Sequence, residues 1–140
     1  MPTEPPRELT VGPPGAEQHY ELEPGLVAPD PDAGPAAVRS SADALGGPVY
    51  RHLPGGDVVV PTGRVLVRLA PGNAVHAHGA ELAAAGYMID AVLSYAPHAA
   101  WVRAATGRIA DALGGLGVLT RMPGIEHVEP QLIGEVSRRV

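Results

Sequence analysis

Hydrophobic and polar positions alternate most cleanly along Arg64-Val65-Leu66-Val67-Arg68-Leu69. Val65, Val67 and Leu69 share one face, and Arg64, Leu66 and Arg68 the other, the period of a strand buried on one side. Pro71-Gly72-Asn73 predicts a turn, and Asn73 can cap the helix that the Ala-rich stretch Val75 through Ala85 predicts. Gly86 closes that helix. Met88–Leu93 is strand-like, Tyr95-Ala96-Pro97-His98 predicts a turn, and Ala99-Trp101-Arg103 begins another strand. Thr106 then predicts the cap of a second helix. Its apolar positions Ile109, Leu113, Leu116 and Leu119 recur at spacings of three and four, and Pro123-Gly124 stops it. Ile125–Leu132 predicts the last strand.

The order strand, helix, strand, strand, helix, strand predicts an α+β fold, a ferredoxin-like βαββαβ sandwich over residues 64–140. In that fold a four-stranded antiparallel sheet carries two helices on one face. Many unrelated functions use it, so the order alone leaves function open.

Upstream the pattern changes. Ala36–Leu45 predicts a short helix with Val38, Ala42 and Leu45 on one face, ended by Gly46-Gly47-Pro48. Val49–Leu53, then Pro54-Gly55-Gly56-Asp57, then Val58–Val60 predict a β-hairpin, so residues 36–63 form an accessory element. Residues 1–35 are acidic and poor in apolar positions, with Pro13-Pro14-Gly15 and Pro29-Asp30-Pro31. They predict a disordered tail, because too little apolar surface is available to offset the entropy of ordering.

Composition sharpens this division. Of 16 prolines, 12 precede Arg64; residues 1–63 carry nine acids and three arginines (−6), and residues 64–140 six acids and seven arginines (+1). All ten basic residues are Arg, and the net charge of −5 argues against nucleic acid as a partner. With no Cys, disulfides, zinc-thiolate sites and thiol nucleophiles are excluded. With no Phe and one Trp, the core is built from small side chains. The first residues lack a signal-peptide pattern and no apolar run is long enough to span a bilayer. The expectation is therefore a soluble cytoplasmic protein without a membrane partner, or a secreted one if the chain belongs to a longer precursor.

The sharpest motif lies in the last strand and its entry, Leu119-Thr-Arg-Met-Pro-Gly-Ile-Glu-His-Val-Glu-Pro-Gln131. A helix end, a Pro/Gly break, and then a hydrophobic residue, two variable residues, Val and Glu (Ile125 to Glu129) resemble the inhibitor I9 family, the propeptide domain of subtilisin-like serine proteases. Val65–Leu69, Gly86-Tyr87, Tyr95-Ala96-Pro97 and Ala100-Trp101-Val102 correspond in order, so the resemblance covers residues 64–135. It implies a protease-binding module, inhibitor or folding chaperone of a subtilisin-like protease, in cis or in trans. Glu129 would meet helix N-termini of the protease, whose free N–H groups and dipole favour a carboxylate. The family's second acid is replaced by Gln131, an uncharged acceptor, which implies weaker binding or a divergent partner. The tail from Leu132 to Val140 would lie extended in the substrate cleft, reaching about 30 Å. Val136, Ser137, Arg138, Arg139 and Val140 would carry that contact.

Other chemistry is sparse. Ser40, Ser41, Ser94 and Ser137 lie in no nucleophile motif, Glu126 and Glu129 fall on opposite faces of a strand, and a phosphate loop of the Lys-containing type needs a Lys. His76 and His78 on a helix would point about 200° apart and not share a metal; in an extended turn they could, with His98 or His127 as a third ligand. Trp101 and Tyr95 predict core or sheet-face packing. The expectation is a protein without catalytic residues, cofactor or metal. A non-catalytic regulatory, ligand- or peptide-binding module on the same fold is the alternative.

Overall fold

The computed structural model describes residues 4–12, 15–40 and 46–134. Eight strands dominate it: β1 (Glu8–Val11), β2 (Gln18–Ala28), β3 (Arg39–Ser40), β4 (Gly47–Leu53), β5 (Val58–Leu69), β6 (Tyr87–Leu93), β7 (Ala96–Ala104) and β8 (Ile125–Gly134). Their hydrogen-bonded order is β1-β2-β4-β5-β7-β6, with β3 on β2 and β8 on β5. Helices are short: α1 (Gly79–Ala84), α2 (Ile109–Gly114) and α3 (Leu116–Thr120), with 3-10 turns at Pro31–Ala37 and Val75–His78.

This overturns the four-stranded sandwich with two helices. The antiparallel sheet has eight strands, and among the described residues no α-helix exceeds six residues. The chain forms two compact units, a C-terminal one of Gly63–Gln131 with Glu4 and Pro5, and an N-terminal one of Pro6–Thr62 with Leu132–Gly134.

In the C-terminal unit β5 pairs antiparallel with β7 from Arg64↔Arg103 to Arg68↔Ala99, and β7 pairs with β6 from Tyr87↔Ala104 onward. The alternation read from β5 is realised: Val65, Val67 and Leu69 are buried. They pack with Ala100, Val102 and Ala104 of β7, Tyr87 of β6, and Val75, Leu82 and Leu119 from the helical segments. A buried Leu of this kind contributes roughly 1.5–3 kcal/mol.

Both expected helices are altered, for local reasons. Asn73 Nδ2 donates to the Ala70 carbonyl at 3.1 Å, closing the turn, so it does not cap a helix. The first helical segment starts as a 3-10 turn and becomes α-helix only at Gly79. Thr106 Oγ1 accepts from the Arg108 N–H at 3.2 Å and donates to Asp111 at 2.6 Å; the helix begins at Ile109, with Arg108 rather than Thr106 as its N-cap. The second helix breaks at Gly115. There the Tyr87 hydroxyl donates to the Ala112 carbonyl, which a continuous helix would offer to residue 116. The Tyr87 ring lies where a Cβ on Gly115 would sit, so only glycine fits.

In the N-terminal unit, among the described residues before Gly34, strands β1 and β2 stand where disorder was expected over residues 1–35. Glu8-Leu9-Thr10-Val11 pairs with Gln18–Glu21, and Leu9 and Val11 are buried. β2 pairs with β4 from His19↔Leu53 to Ala28↔Gly47, with an irregularity between Leu22 and Val27 that accommodates Pro24 and Gly25. Pairing with a larger sheet supplies the burial that the segment lacks alone. The Tyr50 hydroxyl, buried, donates to the Pro6 carbonyl at 2.5 Å and anchors the start of the unit. The helix expected over 36–45 is absent among the described residues: Ala36 lies in the 3-10 turn, and Arg39–Ser40 is strand β3 on β2. Pro31, Pro35 and Gly34 (φ 69) break a regular helix there, and residues 41–45 lie outside the described residues. The hairpin at Val49–Val60 is β4 and β5, paired at Tyr50↔Val59 and Arg51↔Val58.

Leu119→Ala is expected to destabilise the protein by about 2–5 kcal/mol in urea denaturation, because a fully buried side chain leaves a cavity. Burial is the main cause that pushes the Tyr87 hydroxyl up to about 12, with the Asp111 charge adding to it and a Gly115 backbone hydrogen bond opposing it. Its contribution is complete below pH 10, where the unfolded chain also holds the proton, and is lost as pH rises from 10 towards 12. Denaturation across that window should show stability falling by about 1.4 kcal/mol per pH unit from this group, a component absent in Tyr87→Phe.

Candidate functional site

The site is built on the C-terminal unit's sheet, on the face away from the core. Alternation fixes what that face carries. In β5, Val65 and Val67 point inward, so Arg64, Leu66 and Arg68 point outward. Register puts Trp101 opposite Leu66, Arg103 opposite Arg64, and Met88 and Ala91 of β6 opposite Arg103 and Trp101. Trp101 and Leu66 are partly exposed, and Met88 is 51% exposed. The irregularity between Ile89 and Ala91 turns Asp90 to this face as well.

Asp90 organises the arginines. Its Oδ2 lies 2.7 Å from Arg64 Nη2 and 2.8 Å from Arg64 Nε, a two-nitrogen contact, and its Oδ1 lies 3.5 Å from Arg103 Nε. The Arg64 guanidinium carbon is 5.6 Å from the Trp101 ring centroid, within cation–π range. One carboxylate thus serves two guanidiniums directly opposite each other, a like-charge pair that would otherwise repel. Arg68 is exposed and forms no ion pair among the described residues.

On β8, Ile125 at the strand's start packs on the core and Glu126 is exposed. From His127 onward alternation holds, with Val128 on the core and Pro130 buried, so that His127, Glu129 and Gln131 lie on the outer face. The Glu129 side chain is 43% exposed, and its Oε1 is 3.8 Å from His127 Nε2, an ion pair only when His127 is protonated. Gln131 is partly buried. Of the residues predicted for binding, Glu129 and Gln131 therefore share a strand and a face. Val136, Ser137, Arg138, Arg139 and Val140 lie outside the described residues. The nine-residue tail is shortened: Leu132–Gly134 belong to β8. Ile133 packs on Gly34, where a Cβ would come within 2.8 Å of Ile133 Cγ2.

Tyr95 is not packed as expected. At the tip of the β6–β7 hairpin it is 83% exposed. His78 Nδ1 lies 3.3 Å from the Ala74 carbonyl and Nε2 3.9 Å from Glu81, and no group of three His, Asp or Glu among the described residues is arranged to hold a metal. The cluster of Arg64, Asp90, Arg103 and Trp101 went unread in the sequence. Alternation exposes Arg64 and Arg68, but Asp90 joins Arg64 only because β7 lies between β6 and β5, and that order is not in the local pattern.

No helix among the described residues is long and apolar enough to cross a membrane. Compared with family models, curated proteins and solved structures, the chain matches none.

Asp90→Asn is expected to cost less than about 1 kcal/mol in urea denaturation, since the pairs it makes are partly solvated, while shifting Trp101 fluorescence as Arg64 is released. A loss of several kcal/mol would show instead that this carboxylate holds the sheet together.

Proposed function

We propose that the chain is a non-catalytic protease-binding module of the propeptide-inhibitor kind, acting on a subtilisin-like serine protease as inhibitor, folding assistant or both. One observation carries the reading: Ile125-Glu126-His127-Val128-Glu129 forms a strand whose Val128 is turned to the core and whose Glu129 is turned to solvent. A carboxylate so presented can accept N–H bonds from helix N-termini of a partner and meet the positive end of their dipoles. The support is this strand and the outer face beside it, not the fold class. Gln131 lies on the same face and carries no charge.

In this reading the face docks beside the protease active site, and binding stabilises the folded protease by mass action. Residues 135–140, with Val136 to Val140, enter the substrate cleft as an extended strand, spanning about 20 Å. Arg51, bonded to Glu23 at 3.0 Å and to the Gly56 carbonyl at 2.7 Å, braces the β4–β5 hairpin in the N-terminal unit and takes no part in docking.

Titration against a subtilisin-type protease with a peptide substrate tests this. The full chain is expected to inhibit, and Glu129→Gln to weaken inhibition by about tenfold, or about 1.4 kcal/mol. A chain ending at Gly134, which keeps β8 whole, is expected to bind without blocking the cleft. Absence of inhibition by the full chain contradicts the proposal; inhibition unchanged by the shortening contradicts only the role of the tail.

A further inference from the structure

The outer face of the C-terminal unit carries more positive charge than the rest of the chain prepares for. The chain is −5 overall, yet Arg64, Arg68 and Arg103 share the β5–β7–β6 portion of this face with a single acid, Asp90, giving +2. Asp90 is already engaged by two guanidiniums, and Arg103 keeps half of its side chain exposed at 51%. Between the arginine pair at one end and Arg68 at the other lies an apolar row, Leu66, Trp101 and Ala91, while Met88 flanks Arg103 in the arginine row. A cationic row, an apolar row and a cationic residue therefore succeed one another along β5 at the two-residue repeat of a strand.

We infer that this face selects a protein partner whose docking segment alternates carboxylates with aliphatic side chains. The carboxylates meet Arg103 and Arg68, and an aliphatic group covers Trp101 and Leu66. Arginine suits the task because its planar fork binds a carboxylate bidentately. Arg64, held by Asp90 at the Trp101 ring, keeps the indole in place instead of serving the ligand itself. Glu129 lies on β8, on the other side of β5, so the acid-accepting and donor-accepting parts of the face fall on different strands. The inference rests on reading this face as the docking surface and specifies the chemistry of what docks there. Charged residues at such a rim act mainly on the rate of association.

Trp101 is the sole Trp of the chain, so its fluorescence reports occupancy of this face directly. The full-length protein is titrated at low ionic strength with a synthetic peptide of alternating Glu and Leu, and with its Lys/Leu counterpart. The acidic peptide is expected to change Trp101 emission saturably and the basic one not to. Raising salt should weaken the response, and Arg68→Glu with Arg103→Glu should weaken it at least about tenfold. Arg68→Gln with Arg103→Gln, which removes charge without reversing it, should give an intermediate loss and serves where the reversal impairs folding. Equal responses to both peptides, no response to the acidic one, or undiminished binding by the neutralised variant would overturn the inference. Because no protease is present, these results stand apart from the inhibition assay: acidic-peptide binding without protease inhibition would reject the protease as partner and keep the chemistry of the face.

Discussion

The C-terminal unit depends on the two-sidedness of β5. Val65, Val67 and Leu69 bury against Leu82, Leu119 and Tyr87, while Arg64, Leu66 and Arg68 stay on the opposite face. A shift of one residue in register would bury two arginines and expose the core residues, so the pairing Arg64↔Arg103 through Arg68↔Ala99 is strongly fixed. Everything proposed about function inherits this. The same alternation that drives Val67 inward presents Arg64 and Arg68 outward, and on β8 Val128 does the same for Glu129.

The interior on the other side is apolar. Among the described residues no buried polar or charged residue occurs, and the helical segments contribute Val75, Leu82, Leu113 and Leu119 rather than long amphipathic faces. Helices of five or six residues are not stable alone, so their order comes from packing on the sheet. Tyr87 shows how closely the two are joined, its ring against Gly115 and its hydroxyl on the Ala112 carbonyl. The sheet thereby sets where the second helical segment breaks.

The C-terminal elements were legible because their periods are clean. The alternation at residues 64–69 and the spacing of Ile109, Leu113, Leu116 and Leu119 mark strand and helical segments at the right places. Helix length was not legible: Gly79, Gly114 and Gly115 were outweighed by an Ala- and Leu-rich pattern. The larger miss was the N-terminal strands. Leu9 and Val11 alternate with Glu8 and Thr10, and Tyr20 and Leu22 with Glu21, but Pro and acid content masked that signal. Composition argues for disorder only when a segment stands alone, whereas β1 pairs with β2 and β2 with β4. Of the candidate site, Glu129 was legible as a residue of a motif; the Arg64–Asp90–Arg103 cluster was not, because it depends on strand order.

The central claim is that the outer face of β5, β7 and β8, with Glu129 on it, is what a protease partner covers. Hydrogen–deuterium exchange of the full chain, with and without a subtilisin-type protease, tests it directly. The account predicts added protection in peptides covering residues 64–69, 99–104 and 125–134. Protection confined to residues 8–53, with residues 125–134 unchanged, would contradict it.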